Sequence, residues 1–169
     1  MDAYYNGCVV PSREVLAPEN IAQHLCYQIN GIVLLDGYSG CGKTALLKKL
    51  RDTASRPVYL FSYENIVDKI LQATQADTSC THYLATISEE CCIVGIEDVD
   101  YLRGREATQE YLAEMIQIAA KKHLVFLTGN NVLSKVPILC GLCNPVTFSI
   151  SQDKKAWHLR QNHRNYVAR

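Results

Sequence analysis

The sequence predicts an α/β fold, a five-stranded parallel sheet sandwiched by helices. Three observations predict it. Short continuous apolar runs, "IVLLD", "CCIVGI" and "HLVFLTG", have the length and make-up of strands buried on both faces. Segments with apolar residues at three- and four-residue spacing stand between them, as amphipathic helices require. A glycine-rich turn, Gly37–Thr44, falls at the carboxyl end of the first run, where open parallel sheets bind their ligands.

Taken in order, residues 1–17 have no clear pattern and read as an arm or a short strand. Pro18 suits the first turn of a helix running to about Ile29, with Ile21, Ala22, Leu25, Cys26 and Ile29 on one face. Asn30-Gly31 is a stop signal, and "IVLLD" follows as a strand. "KTALLKKLRDTA" is a helix and "PVYLFS" (57–62) a second strand. "YENIVDKILQAT" (63–74) places Ile66, Val67, Ile70 and Leu71 on one helical face. A polar loop and a short helix near 81–88 lead to the third strand, 91–96. The helix over 106–122 has glutamates early and lysines late, as the helix dipole favours. The fourth strand is 123–129 and the fifth 145–150.

Composition narrows the function classes. A chain of 169 residues can bury a core without staples. The formal net charge is zero, so no global field draws the chain to DNA or membrane. No apolar run reaches the ~18 residues that a membrane span needs. "MDAYYNGCVVPSREV" lacks the basic and apolar regions of a signal peptide. The eight cysteines therefore read as reduced thiols in a cytoplasm.

"GYSGCGKT" matches G-x-x-x-x-G-K-[ST] at every fixed position, between a buried strand and an amphipathic helix. A phosphate chain needs backbone N–H groups aimed at it, and Gly37, Gly40 and Gly42 let the backbone come close. The loop amides of Gly37, Tyr38, Ser39, Gly40, Cys41, Gly42, Lys43, Thr44 and Ala45 form the expected cradle. Lys43 would reach the β- and γ-phosphates, and the Thr44 hydroxyl would ligate Mg²⁺. The expected ligand is ATP or ADP with Mg²⁺, on a P-loop NTPase fold. Cys41 is a space-filling residue or a redox-sensitive thiol at a helix N-terminus.

Such a loop needs a carboxylate at the end of a nearby strand. Glu97 and Asp98 follow directly on "CCIVGI", and Asp100 lies just beyond. "LTGNN" ends the next strand with Thr128, Asn130 and Asn131. An amide there would orient a water or sense the γ-phosphate, or the segment is a plain Gly-Asn turn.

From "CCIVGIEDVDYLRGREATQEYLAEMIQIAAKKHLVFLTGNN" onward the resemblance is specific. The segment resembles the Walker B to sensor 1 region of the bacterial replication initiator DnaA and its AAA+ relatives, the helicase loaders and regulatory ATPases. With the glycine-rich loop, the resemblance spans about residues 18–150. It implies that Lys43 and Thr44 belong to Walker A, and that Glu97 and Asp98 are the Walker B acids. Glu97 would hold Mg²⁺ with Thr44, and Asp98 would position water. Asn130, with Asn131 as the alternative, would be sensor 1. The sequence departs from the family in having Glu97 where aspartate is usual. "VLSKVPILCGLCNPV" has no arginine to serve as a finger, and Lys135 is its single cation. Residues 151–169 are too few for the family's helical lid or a DNA-binding domain.

That segment carries five Lys/Arg against one acid. A helix over about 153–167 would place Trp157, Arg160 and Arg164 near one face. It reads as a docked helix with a solvated basic side, as a contact for DNA or a partner, or as a substitute for the family's sensor 2 arginine. Cys140, Cys143, His158 and His163 have the spacing C-x₂-C-x₁₄-H-x₄-H, within the range of a zinc site. The strand between them is also needed by the sheet. Arg103 and Arg105 read as exposed charges, or as interface or base-proximal cations.

The expected organisation is an arm (1–17), a DnaA-like nucleotide-binding core (18–150) of ASCE/AAA+ type without the helical lid, and a basic C-terminal helix or tail (151–169). The expected function is that of a cytoplasmic ATP-binding domain with weak or conditional hydrolysis, linked to replication initiation or its regulation. Its partners would be an initiator, a helicase loader or further copies of itself. One alternative is a non-hydrolysing module that binds an initiator or loader. Another is a nucleic-acid binder acting through the basic tail.

Overall fold

The computed structural model describes residues 30–150 and three short strands outside that range, with side chains placed over 30–143. The helix expected over 18–29 lies outside the described residues. Near the N-terminus, β1 (Ala3–Tyr5) and β2 (Cys8–Val10) pair antiparallel in a sheet of their own.

The main sheet follows from the apolar runs. Its strands are β3 (Gly31–Asp36), β4 (Val58–Ser62), β5 (Ile93–Glu97), β6 (Leu124–Gly129), β7 (Asn144–Ile150) and β8 (Trp157–Gln161). Their spatial order is β4-β5-β6-β3-β7-β8. The first five are mutually parallel, and β8 runs antiparallel to β7. Helices α1 (Lys43–Thr53), α2 (Tyr63–Gln75) and α3 (Glu106–Ala119) make the crossovers. A short helix, α4 (Val132–Lys135), follows β6. Among the described residues no helical lid follows β7, and no helix is long and apolar enough to cross a membrane.

Alternation along β3 divides the core between two faces. Val33 and Leu35 pack with Phe126, Leu124 and the Leu46, Leu47 and Leu50 side chains of α1. Ile32 and Leu34 share the other face with Val94, Ile96, Val125 and Leu127, under Ile66 and Ile70 of α2 and Leu112, Met115 and Ile116 of α3. Each fully buried Leu or Ile contributes about 1.5–3 kcal/mol relative to exposure. The central strands are therefore a rigid base for the loops at their carboxyl ends.

Two expected elements differ. Residues 81–86 form successive turns in place of a helix. There Thr86 Oγ1 donates to the His82 carbonyl, and Ser79 and Thr81 join through their hydroxyls. Such side-chain bonds compete with helical ones. In the C-terminal segment, the helix expected over 153–167 is replaced at Trp157–Gln161 by β8. "WHLRQ" alternates apolar and polar residues with the period of a strand, and β7 would otherwise leave a row of edge groups unpaired.

Candidate functional site

Strand order assembles the site. The chain goes from β3 to the far edge and returns, so that β6 lies beside β3 and β5 beside β6. Asp36, the last residue of β3, is in register with Gly129, the last of β6, and the Gly37 N–H donates to the Gly129 carbonyl at 3.2 Å. The ends of three strands thus meet around one cavity of about 620 Å³, lined by Ser39, Gly40, Gly42, Lys43, Thr44, Asp98, Asp100, Tyr101, Arg103, Gly129, Asn130 and Lys135.

The loop before α1 leaves that helix open. Its N-cap is Gly42, at φ 99°, with no side-chain cap. The next helix contrasts with it. At α2, Ser62 and Asn65 form a capping box, and the Ser62 N–H donates to Asn65 Oδ1 at 2.9 Å. The first-turn N–H groups of α1 lack such a partner and face the cavity with the helix's positive end, the arrangement that binds anions. Lys43 is 7% exposed. Its ammonium donates to the Gly37 carbonyl at 2.7 Å and the Tyr38 carbonyl at 3.0 Å, bracing the loop from within.

The structure sorts the sequence-derived candidates. Ser39, Gly40, Gly42, Lys43, Thr44, Asp98 and Asn130 share the cavity wall. Cys41 is buried beneath the loop in the α1 core, so it fills space. Asn131 sits at φ 54° as the N-cap of α4 and is outside the wall, as is Glu97. Glu97 Oε1 is nonetheless buried without a hydrogen-bond partner. An orphaned carboxylate oxygen at a strand end fits a cation such as Mg²⁺, and the Thr44 hydroxyl, on a residue of the cavity wall, is an oxygen donor of the same hard kind.

Asp98 takes a left-handed backbone, φ 60°, and its N–H donates to Thr128 Oγ1 at 3.2 Å. Though the residue is exposed, partial desolvation raises its carboxyl pKa above the ordinary range. The charges of Glu97 and Asp100 add to that rise, and Lys43 offsets part of it. Thr128, named from the sequence as a polar strand tip, is 1% exposed and orients this acid from below.

Sequence reasoning passed over one feature of the wall. Asp100, 9% exposed as a residue, pairs with Lys135, whose Nζ lies 2.7 Å from Asp100 Oδ2. Gly129 makes room for this pair. A Cβ there would stand 2.8 Å from Asp100 Oδ1 and 2.4 Å from Val132 Cγ2. Gly129→Ala is expected to lower stability by about 1–3 kcal/mol, the range for overpacking a filled site. Thermal denaturation checks this, and a variant as stable as the parent would show that the loop yields freely.

Of the four residues at zinc spacing, Cys140 and Cys143 have described side chains. Cys143 is buried and donates to the Leu139 carbonyl at 3.1 Å, and burial pushes its thiol up to about 12. His163 lies outside the described residues, and among the described residues no group of three ligating side chains forms a metal site.

A family model described as "ATPase family associated with various cellular activities (AAA)" matches residues 33–145. Among solved structures, domain III of the Thermotoga maritima replication initiation protein DnaA is 17% identical, with a TM-score of 0.53 over 68% of this chain and 53% of that one. The replication initiator DnaA bound to AMPPCP and single-stranded DNA is 17% identical, with a TM-score of 0.57 over 82% of this chain and 46% of its own. AMPPCP-bound DnaA from Aquifex aeolicus is 18% identical, with a TM-score of 0.52 over 70% of this chain and 38% of that one. This chain spans about half the length of these relatives or less, and at such identities the likeness is one of fold. No curated protein sequence matches.

Proposed function

This chain belongs to the AAA ATPase family, and on that premise we propose that it binds Mg-ATP or Mg-ADP at the Gly37–Thr44 loop. Its fold resembles that of DnaA, so we place its work in the cytoplasm, in replication initiation or its regulation, through nucleotide-controlled assembly. One observation carries the reading. The open N-terminus of α1, with Lys43 and Thr44, faces the same cavity as Asp98 and Asn130 from the ends of β5 and β6.

In this reading the loop amides and Lys43 hold the phosphates. Thr44 and Glu97 would hold Mg²⁺, which neutralises phosphate charge when bound. Asp98 accepts a hydrogen bond from the attacking water, and its raised pKa suits a group that holds a proton in transit. Asn130 orients the same water from the neighbouring strand.

A second reading is favoured by the inward turn of Lys135. The single cation of the segment after β6 is paired with the chain's own Asp100, so it is not presented to a neighbouring subunit. A cation supplied in trans is worth orders of magnitude in rate. Without one, the domain would be a nucleotide-gated interaction module.

Steady-state ATP turnover across a wide range of protein concentration separates the two, with Lys43→Ala as the blank. Turnover that rises more steeply than linearly with protein means a self-assembling ATPase. Turnover no higher than the blank's means an interaction module and removes the enzyme reading.

A further inference from the structure

We propose that Lys135 is a second phosphate-binding cation, supplied in cis and positioned by Asp100, that lets this site distinguish a nucleoside triphosphate from a diphosphate. The proposal rests on the nucleotide site described above and deepens it.

The device is built from separate parts of the chain. Lys135 ends α4, and Asp100 lies in the 3-10 turn Val99–Leu102 after β5. Asp36 at the base of the phosphate loop accepts from the Val132 N–H at 3.4 Å, which ties α4 to β3. Gly129 supplies the space that lets the Asp100 carboxylate reach under the end of β6. The short helix is thus held from both sides of the cleft.

The pair is asymmetric. The Asp100 side chain is 10% exposed and that of Lys135 28%. The carboxylate is the more sunken partner, and Lys135 lines the same cavity as Asn130, Lys43 and Thr44. An ammonium has three donors. One is directed at Asp100 Oδ2, which leaves donors for an anion in the cavity. Lys43 comes from the loop that wraps the phosphate chain, whereas Lys135 comes from the wall formed by the ends of β5 and β6. A phosphoryl group extending from the loop toward Asp98 and Asn130 would meet Lys135. A diphosphate, one group shorter, would not.

A buried acid beside Glu97 and Asp98 would by itself repel phosphate. Its purpose is explained if it fixes a cation whose charge it only partly cancels at the wall. Asp100 is then a positioning residue, and Lys135 the group that touches the ligand.

The test is equilibrium binding of ADP and of a non-hydrolysable ATP analogue to the full chain, read by calorimetry. Lys135→Met is expected to weaken the triphosphate roughly tenfold or more, the loss of a charge-assisted hydrogen bond, and to leave ADP within about twofold. Lys135→Arg should restore most of the preference. Lys135→Met leaves Asp100 without its partner, so the combined Asp100→Asn/Lys135→Met variant carries the same test with both charges removed.

Equal weakening of the two nucleotides, or no change in either, in the variant that folds would overturn the proposal. Lys43→Ala keeps its failure distinct from that of the underlying reading. If Lys43→Ala binds both nucleotides as the parent does, the site itself has been misplaced. If it binds neither, the site stands and the Lys135 comparison alone decides.

Discussion

Lys43→Ala is expected to weaken ATP and ADP alike by at least about 100-fold, roughly 3 kcal/mol. Two losses combine. The variant removes the charge that would meet the phosphates. It also removes the donor to the Gly37 and Tyr38 carbonyls, at 2.7 and 3.0 Å, that braces the loop. The loop must then be ordered by the nucleotide itself, at a cost in conformational entropy. The hydrophobic anchors of α1, Leu46, Leu47 and Leu50, stand one and two turns further along the helix and are untouched. The fold should therefore survive with unchanged circular dichroism. Calorimetric titration with each nucleotide gives the result, and affinities within threefold of the parent's would remove Lys43 from the site.

His123→Ala is expected to cost about 2–4 kcal/mol of stability, the range for a cavity plus unpaired polar groups. His123 is fully buried at the start of β6. Its Nδ1 accepts from the Cys92 N–H at 3.2 Å, so Nε2 is the protonated nitrogen and donates to the Ala85 carbonyl at 3.0 Å. One imidazole therefore joins the turns at 81–86 to the amino end of β5. For a chain of this size the loss corresponds to a fall of about 5–15 °C in Tm.

The same geometry gives a pH dependence. Burial, chiefly, holds the folded imidazole below its ordinary pKa of 6.5. The unfolded chain takes up its proton near that ordinary value, about 6.5. As the pH falls through it, the unfolded state binds more protons than the folded one, and stability declines. The contribution is complete above about pH 6.5 and is lost progressively below it. Protonation would also set an Nδ1–H against the Cys92 N–H. The Asp98 carboxyl, raised in the fold, acts in the opposite sense nearer the ordinary carboxylate range of about 4. Thermal melts between pH 7.5 and 5.5 should show a falling Tm for the parent and a shallower slope for His123→Ala. Parallel slopes would assign the pH dependence to other groups.

What the sequence determined by itself is what depends on near neighbours. The apolar runs placed β3, β5 and β6 within a residue or two, because a strand buried on both faces must be apolar throughout. The glycine-rich loop and α1 were legible for the same reason, since left-handed backbone at Gly40 and Gly42 and an amphipathic helix are encoded within a few residues. Where neighbours misled, a long-range contact decided. The basic C-terminal segment has residues at helical spacing, but β7 presented an edge, and Trp157–Gln161 paired with it.

Tertiary structure alone decided which strand ends meet. Nothing local says that β6 and not β4 lies beside β3, yet that order brings Gly129 and Asn130 to the phosphate loop. The Asp100–Lys135 pair joins residues 35 apart, and His123 bridges partners 31 and 38 residues away. Such contacts leave no periodicity to read, because each depends on the packing of a sheet whose strand order is set only when the whole core is buried.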